Sequence, residues 1–107
     1  MTEHEVQVKF VNWFHKTYPK TLIFAIPNGG ERNIIVAQRL KMEGVVKGIP
    51  DLFVPEHGLW IEVKTKNGRL SEAQKKMIAH LTNINYNVIV VYGYDDAVAK
   101  TVEILTH

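Results

Sequence analysis

Two acidic residues and a lysine near the middle of the chain are of the types that hold a hard divalent cation. Glu62 and Lys64 stand two residues apart in the run LWIEVKT, and alternate side chains of a strand project from the same face. Asp51 opens another short apolar run, DLFVP, so a hairpin joining the two runs would bring it close to opposite Glu62. Two carboxylates suit Mg²⁺, and the lysine could orient a water or stabilise charge developing on a phosphoryl group. Taken alone, Glu62 and Lys64 are also typical of a solvated strand face.

Glu3 is a third candidate carboxylate. At about 100° per residue, Glu3 falls on the same inward stripe of its helix as Val6 and Phe10, whereas Glu5 faces solvent. A carboxylate on a buried face needs a partner, because burying it unpaired is costly. The alternative is that Glu3 lies at a frayed helix end, where a negative charge favours the helix dipole.

Gln74 is open to two interpretations. It aligns with Ile78 and Leu81 on the inner face of its helix, which would point it towards a site. The segment Ser71-x-x-Gln74 is also a good capping box, and capping alone explains a glutamine at this position.

Two further groups of residues suit binding of a phosphate backbone. The turn PNGG, followed by Arg32, could bring backbone N–H groups and a guanidinium close to a phosphate, although it could equally be a simple turn. Basic residues are also dense after the second strand of the hairpin, which suits an edge that follows phosphates or a solvated helix start. That cluster comprises Lys64, Lys66, Arg69, Lys75 and Lys76.

The elements that must position these residues follow from periodicity and turn signals. The hydrophobic run NVIVVYG is rich in β-branched residues and predicts a central strand that is buried on both faces. The alternating order of elements predicts a mixed α/β domain with a small central sheet flanked by helices. The predicted elements are a helix over 3–17, a strand over 21–26, a helix over 31–43, strands over 51–55 and 59–65 joined by a turn at 56–58, a helix from 71, a strand over 87–93 and a helix from 95 to about 105.

Length and composition narrow the class of protein. The 107 residues suit one domain, 1–107. The absence of cysteine excludes disulfides, thiolate zinc sites and a cysteine nucleophile. No apolar run approaches the ~20 residues that span a bilayer, and the start of the chain does not read as a signal peptide, so an intracellular protein without membrane association is expected. The formal charge of +2 does not by itself indicate a nucleic-acid partner.

Together these motifs resemble the VRR-NUC (virus-type replication-repair nuclease) family of the PD-(D/E)XK nuclease superfamily. The resemblance is carried by GIPDLFV at 48–54 and by WIEVKTKNGRLSEAQKKMIAHL at 60–81. The start of the first helix, from Glu3 to Gln7, and the PNGG turn also look like family motifs in the expected order. The resemblance implies a restriction-endonuclease-like core.

The resemblance also implies a metal-dependent deoxyribonuclease that hydrolyses DNA phosphodiester bonds, structure-selective and acting in phage or bacterial replication or repair. By carry-over, Asp51 and Glu62 would bind Mg²⁺, or Mn²⁺ in its place, together with the backbone carbonyl of Val63. Lys64 would position or activate the attacking water.

Gln74 and Glu3 would complete the catalytic set, although Glu5 also lies near the family's N-terminal acidic position. DNA would be the partner of a homodimer in the cytoplasm of a bacterial or phage-infected cell. Two alternatives stay open, a junction-resolving homodimeric endonuclease and a non-catalytic DNA-binding module on the same fold. The residues expected to contact DNA are Asn28, Arg32, Lys66, Arg69, Lys75 and Lys76.

Overall fold

A computed structural model describes residues 1–27 and 33–106. Four strands form one sheet in the order β1-β2-β3-β4, in which β2 is antiparallel to β1 and to β3, and β3 is parallel to β4. The predicted order of elements and the mixed α/β class are confirmed. The elements are α1 (Glu3–Thr17), β1 (Phe24–Ala25), α2 (Ile34–Met42), β2 (Leu52–Val54), a 3₁₀ turn (Pro55–His57), β3 (Leu59–Lys64), α3 (Glu72–Asn83), β4 (Asn87–Tyr92) and α4 (Tyr94–Leu105).

Alternation along β3 divides its side chains between two layers of helices. Leu59, Ile61 and Val63 point into the hydrophobic core against α1 and α4, and Glu62 points to the opposite face, where α3 lies. The core is built mainly from apolar residues of α1, β2 and β3. Its buried members are Val6, Phe10, Phe14, Ile23, Leu52, Val54, Leu59, Ile61, Val63, Val91 and Ala97.

A capping box fixes the start of α1. The side chain of Thr2 accepts a hydrogen bond from the N–H of Glu5, and the Glu5 carboxylate accepts one from the N–H of Thr2 at 2.9 Å. These bonds to Thr2, chiefly the one from its backbone, lower the pKa of Glu5. The Glu5 side chain therefore satisfies the helix terminus, as a glutamate three residues after the cap commonly does.

The prediction that residues 87–93 form a central strand buried on both faces is wrong, because β4 lies at the edge of the sheet and Val91 is the one buried residue of this strand. Helices α3 and α4 pack against it, so it carries the apolar sequence of an inner strand. Its open edge is covered in part by α4. Asp96 accepts a hydrogen bond from the N–H of Tyr92 at 2.8 Å, and Lys100 donates one to the carbonyl of Val90 at 2.8 Å. Covering an edge in this way prevents another strand from pairing there.

Strand β1 is shorter than the predicted 21–26, because its partner β2 is itself only three residues long and lies between Pro50 and Pro55. The N–H of Leu22 donates instead to the carboxylate of Glu56 at 3.0 Å. Helix α2 begins after Asn33, whose side chain accepts from the N–H of Val36, so the described helix is shorter than the predicted 31–43.

Helix α2 lies apart from the core. In the described part of the chain α2 has no buried residue, and Ile34, Ile35 and Met42 are 75%, 69% and 87% exposed. Among the residues described, none of the helices combines the length and apolar character needed to cross a bilayer.

Candidate active site

The pairing of β2 with β3 sets Asp51 beside Glu62. Leu52 pairs with Ile61 in the antiparallel ladder, so extending the register by one residue places Asp51 opposite Glu62. The Asp51 carboxylate accepts a hydrogen bond from the N–H of Val63 at 2.7 Å. This bond fixes the aspartate across the end of the hairpin, as the sequence predicts to within one residue.

Glu62 is the most constrained polar side chain of the site, with 2% of its surface exposed. Its Oε2 accepts a hydrogen bond from Nε2 of Gln74 at 3.2 Å and lies 4.0 Å from Nζ of Lys64. Its Oε1 is buried and has no hydrogen-bond donor among the described residues. Lys64 is also buried, with 7% of its surface exposed. The sheet therefore holds a carboxylate and an ammonium together out of solvent.

Burial and the neighbouring carboxylate make Glu62 a weak acid. Desolvation, followed by the charge of the neighbouring Asp51 carboxylate, raises the pKa of Glu62 to about 8, against the opposing effect of Lys64. Two carboxylates that face each other favour one shared proton, because both cannot ionise cheaply without a counter-charge. A divalent cation between them would supply that counter-charge.

Gln74 fulfils both roles that the sequence left open. Its Oε1 accepts a hydrogen bond from the N–H of Ser71 at 2.8 Å, completing the capping box at the start of α3. Its Nε2 donates to Glu62. The carbonyl end of one amide thus caps the helix, while the NH₂ end orients the carboxylate.

The donor set around Asp51 and Glu62 fits Mg²⁺ or Mn²⁺. The N–H and C=O of one strand residue point to the same side, and the N–H of Val63 points to Asp51, so the Val63 carbonyl points to that side as well. Mg²⁺ is held in proteins by one or two carboxylates and completes its shell with waters and substrate phosphate. The unpartnered Oε1 of Glu62 is an oxygen that such an ion would satisfy. Within residues 1–27 and 33–106, no group of three or more acidic or histidine side chains could hold a metal by itself.

Glu3 lies at the mouth of the site and is not buried, contrary to the inward position that the helical wheel predicts. It is the first residue of α1, where the helix extends past the core. Glu3 and Asp51 line one cavity of about 810 Å³ between α1 and the end of β1. The charge of Glu3 also contributes to raising the pKa of Glu62, less than the other causes do. Of the two N-terminal glutamates, Glu3 faces the site and Glu5 caps the helix.

Sequence reasoning assigned no role to Gly48, the glycine of the G-x-P-D motif. Its φ is +84°, and a Cβ added there would lie 2.5 Å from the backbone oxygen of Ala73. The chain leading to Asp51 thus passes directly against the first turn of α3, one residue before Gln74. Only glycine fits both the backbone conformation and the close approach. The G-x-P-D motif could have indicated that Gly48 has a role. Its contact with Ala73 of α3 could be found only from the tertiary structure.

The predicted DNA-contacting residues are only partly gathered together. Four basic residues of the β3–α3 region, Lys66, Arg69, Lys75 and Lys76, are exposed, and Arg69 and Lys75 line a shared cavity. Lys64, in contrast, is buried at the carboxylates and is not part of that exposed edge. Asn28 and Arg32 lie outside the described residues.

Comparisons with known proteins identify the fold and the family of the chain. The family model described as the VRR-NUC domain matches residues 1–95. A solved structure described as a VRR_NUC domain protein superposes with a TM-score of 0.85 at 29% sequence identity, covering 99% of this chain and 89% of its own. No curated protein matches the chain.

The chain therefore has a nuclease-type α/β fold. Its class is that of nuclease-type proteins that act on DNA. Within that class, the chain belongs to the VRR-NUC family, as the sequence motifs indicate.

Replacing Gly48 tests whether close packing against α3 positions Asp51. Gly48→Ala should destabilise the fold by clearly more than the roughly 1–2 kcal/mol of a left-handed alanine, because the new methyl group meets the backbone of Ala73. Gly44→Ala is the matched control, since Gly44 has φ +101° but nothing within 4 Å of the added Cβ. Urea unfolding measures both variants. Equal losses would contradict a role for the packing.

Glu62 should make the stability of the metal-free protein fall as pH rises. Its pKa of about 8 in the folded protein exceeds the ordinary value of 4.5, so folding takes up a proton between these values. The stabilisation is complete below pH 4.5 and is lost as pH rises towards about 8. Glu62→Gln mimics the protonated form and should remove this slope.

Thermal unfolding in EDTA across that pH range measures the effect. Glu103→Gln, at an exposed position of α4, controls for the loss of one negative charge and should retain the slope of the wild type. Parallel pH profiles for the wild type and Glu62→Gln would show that the buried carboxyl is not protonated in the folded protein.

Proposed function

We propose that this chain is a metal-dependent deoxyribonuclease that hydrolyses DNA phosphodiester bonds. The observation that carries the proposal is the buried Glu62 carboxylate, which faces Asp51 and lies 4.0 Å from the ammonium of Lys64. A purely structural strand face would leave Glu62 in solvent, because burying an acid next to a second, half-buried acid is unfavourable. Membership of the VRR-NUC family supports the same activity.

Asp51, Glu62 and the carbonyl of Val63 would hold the Mg²⁺ or Mn²⁺ ion. When bound, the ion would supply an activated water and neutralise charge on the phosphate. The residues around it keep the ligands in place. The Val63 N–H holds the Asp51 carboxylate, and Gln74 holds Oε2 of Glu62, while Oε1 accepts no hydrogen bond from the described residues.

Lys64 supplies positive charge where negative charge develops on the phosphoryl group during attack. Its exclusion from solvent strengthens this interaction, since a fixed charge acts more strongly in a site of low dielectric constant. Lys64 can also donate a hydrogen bond to the attacking water and orient it. Glu3, at the mouth of the cavity that Asp51 lines, would orient water around the ion from the side of α1.

A homodimer is part of the proposal, and the exposed apolar face of α2 supports it. Ile34, Ile35 and Met42 are largely exposed, and Val45 and Val46 follow with 45% and 51% exposure. Apolar surface of this kind, gathered in one place, is typical of a protein interface. Two sites held in a fixed relation would also suit a junction-resolving endonuclease, which is the second candidate function.

The finer parts of the function follow from the same reasoning. We expect selectivity for DNA structure rather than sequence, and a role in phage or bacterial replication or repair in the cytoplasm. A non-catalytic DNA-binding module is disfavoured, because Asp51, Glu62 and Lys64 are all present side by side, with Glu62 and Lys64 buried and Asp51 half-buried. Such a module would have no reason to keep an unpartnered buried carboxylate oxygen.

The decisive variants are Glu62→Gln and Lys64→Met, which remove charge with little change of shape. With Mg²⁺ or Mn²⁺, each should lower the cleavage rate about 100- to 1,000-fold, while binding of DNA changes much less. Lys16→Met, which removes an exposed charge of α1, should cleave like the wild type. The assay follows cleavage of linear, branched and supercoiled DNA. Normal metal-dependent cleavage by Glu62→Gln would overturn the assignment.

The dimer is tested by light scattering at assay concentrations. The wild type should have twice the chain mass of 12.2 kDa, and Ile35→Asp should be monomeric because a charge in the apolar face is costly to bury. Val102→Asp, at a 36% exposed position of α4, should remain dimeric. A monomeric wild type would exclude both the dimer and the junction-resolving alternative.

A further inference from the structure

A second cavity lies between the turn after β3 and the end of β4, whereas Asp51 lies on the other flank of β3, next to β2. The cavity has a volume of about 380 Å³ and is lined by Gly68, Arg69, Leu70, Lys75 and Tyr92. Its size is that of a small-ligand site. Its lining combines two cationic side chains with an aromatic ring, which is the chemistry that binds a nucleotide.

The register of the sheet brings this cavity next to the reacting groups. Tyr92 pairs with Lys64 in the parallel ladder of β3 and β4, so the two side chains project from the same face of neighbouring strands. The turn after β3 lies against Lys64 at the other end of this open cavity. The N–H of Gly68 donates to the carbonyl of Thr65 at 3.0 Å, and a Cβ added to Gly68 would lie 3.2 Å from Cβ of Lys64. A ligand in this cavity would thus lie adjacent to Lys64.

The ring of Tyr92 is accessible and has a cation near it. Tyr92 is 36% exposed, and Nζ of Lys100 lies 5.5 Å from its ring centroid. Lys100 is itself held by Asp96 at 2.9 Å and by the carbonyl of Val90 at 2.8 Å. An exposed aromatic ring offers a surface on which a base can stack.

The cations of the cavity are available to a phosphate. Arg69 is exposed, and its planar guanidinium matches the geometry of phosphate oxygens. Lys75 pairs with Glu72 at 3.2 Å, but both side chains are largely exposed, with 57% and 80% of their surface accessible. An exposed pair of this kind contributes little to stability. A phosphate can therefore replace Glu72 as the partner of Lys75.

We propose that this cavity binds an unpaired nucleotide next to the phosphate that is cleaved, with its base stacked on Tyr92 and its phosphate on Arg69 and Lys75. The proposal rests on the nuclease function argued above and adds a substrate preference to it. A base within a duplex has both faces covered by its neighbours, so it cannot stack on a side chain without leaving the helix. The enzyme should therefore favour single-stranded or locally unpaired DNA at the position beside the cut.

The test is a scan of short single-stranded oligonucleotides that each carry one abasic site at a different position. Removing the base that stacks on Tyr92 should weaken binding to the wild type about 5- to 150-fold at one position. Tyr92→Leu should bind the intact oligonucleotide that much more weakly and lose nothing further from the same abasic site. Tyr92→Phe keeps the ring and should behave as the wild type.

Two controls separate stacking from a general loss of structure or charge. Tyr86→Leu removes another tyrosine of similar exposure, 39%, and should keep the pattern of the wild type. Arg69→Gln should weaken binding equally at every abasic position, since it removes a phosphate contact. Anisotropy measures affinity with Ca²⁺ in place of Mg²⁺, and thermal unfolding checks that each variant is folded.

The outcomes distinguish the two proposals. If the wild type cleaves DNA but the abasic scan shows no position coupled to Tyr92, the cavity proposal is wrong and the nuclease proposal stands. Equal affinity of the wild type for single-stranded and fully paired DNA would also overturn the cavity proposal. If the abasic position is coupled to Tyr92 but no DNA is cleaved with Mg²⁺ or Mn²⁺, base stacking stands while the nuclease proposal fails. If no DNA binds, both proposals are wrong.

Discussion

The arrangement of the site depends on one energetically unfavourable feature, the burial of the Glu62 carboxylate opposite Asp51. Burial and the charge of the second acid raise the pKa of Glu62 to about 8. Ionised Glu62 therefore lowers the free energy of unfolding. The surrounding structure offsets part of that cost with the ammonium of Lys64 and the amide of Gln74. The other oxygen of Glu62, Oε1, has no hydrogen-bond donor within residues 1–27 and 33–106. Such a residue is tolerated where binding of a cation recovers the free energy that the protein alone does not.

Single residues in the neighbouring elements each serve two structural roles. Gln74 caps α3 with one end of its amide and orients Glu62 with the other, so the start of the helix and the geometry of the site are fixed by a single side chain. Gly48 allows the chain that carries Asp51 to pass against the backbone of that same helical turn. The hairpin, the loop before it and α3 therefore position the carboxylates jointly, and a shift of any of these elements would move Asp51 or Glu62. This coupling is what preorganises a site for charge stabilisation.

The β4 edge of the sheet is covered in part, whereas the apolar surface of α2 is exposed. At β4 the pair formed by Asp96 and Lys100 satisfies backbone groups that would otherwise be open, and it places a cation near the ring of Tyr92. Desolvation raises the pKa of Asp96, but the bonds from the Tyr92 N–H and Lys100 outweigh it, so that the pKa is lowered. On α2, in contrast, the apolar side chains of Ile34, Ile35 and Met42 remain exposed. The structure thus blocks strand addition at β4 and leaves a helical face available for association.

Periodicity determined much of this fold from the sequence alone, because helices and strands differ in which residues share a face. The order of elements, the hairpin and the common face of Glu62 and Lys64 follow from local spacing, and the turn length sets Asp51 opposite Glu62 to within one residue. What spacing could not determine is where each element lies relative to the others. The run at 87–93 looks like an inner strand because helices cover its faces, yet only the tertiary structure puts it at the edge. The choice between Glu3 and Glu5, the double role of Gln74 and the partner of Gly48 likewise depend on contacts between residues that are distant in the chain. The local pattern of apolar and polar residues predicts whether a side chain is buried, but it does not identify the group that covers that side chain.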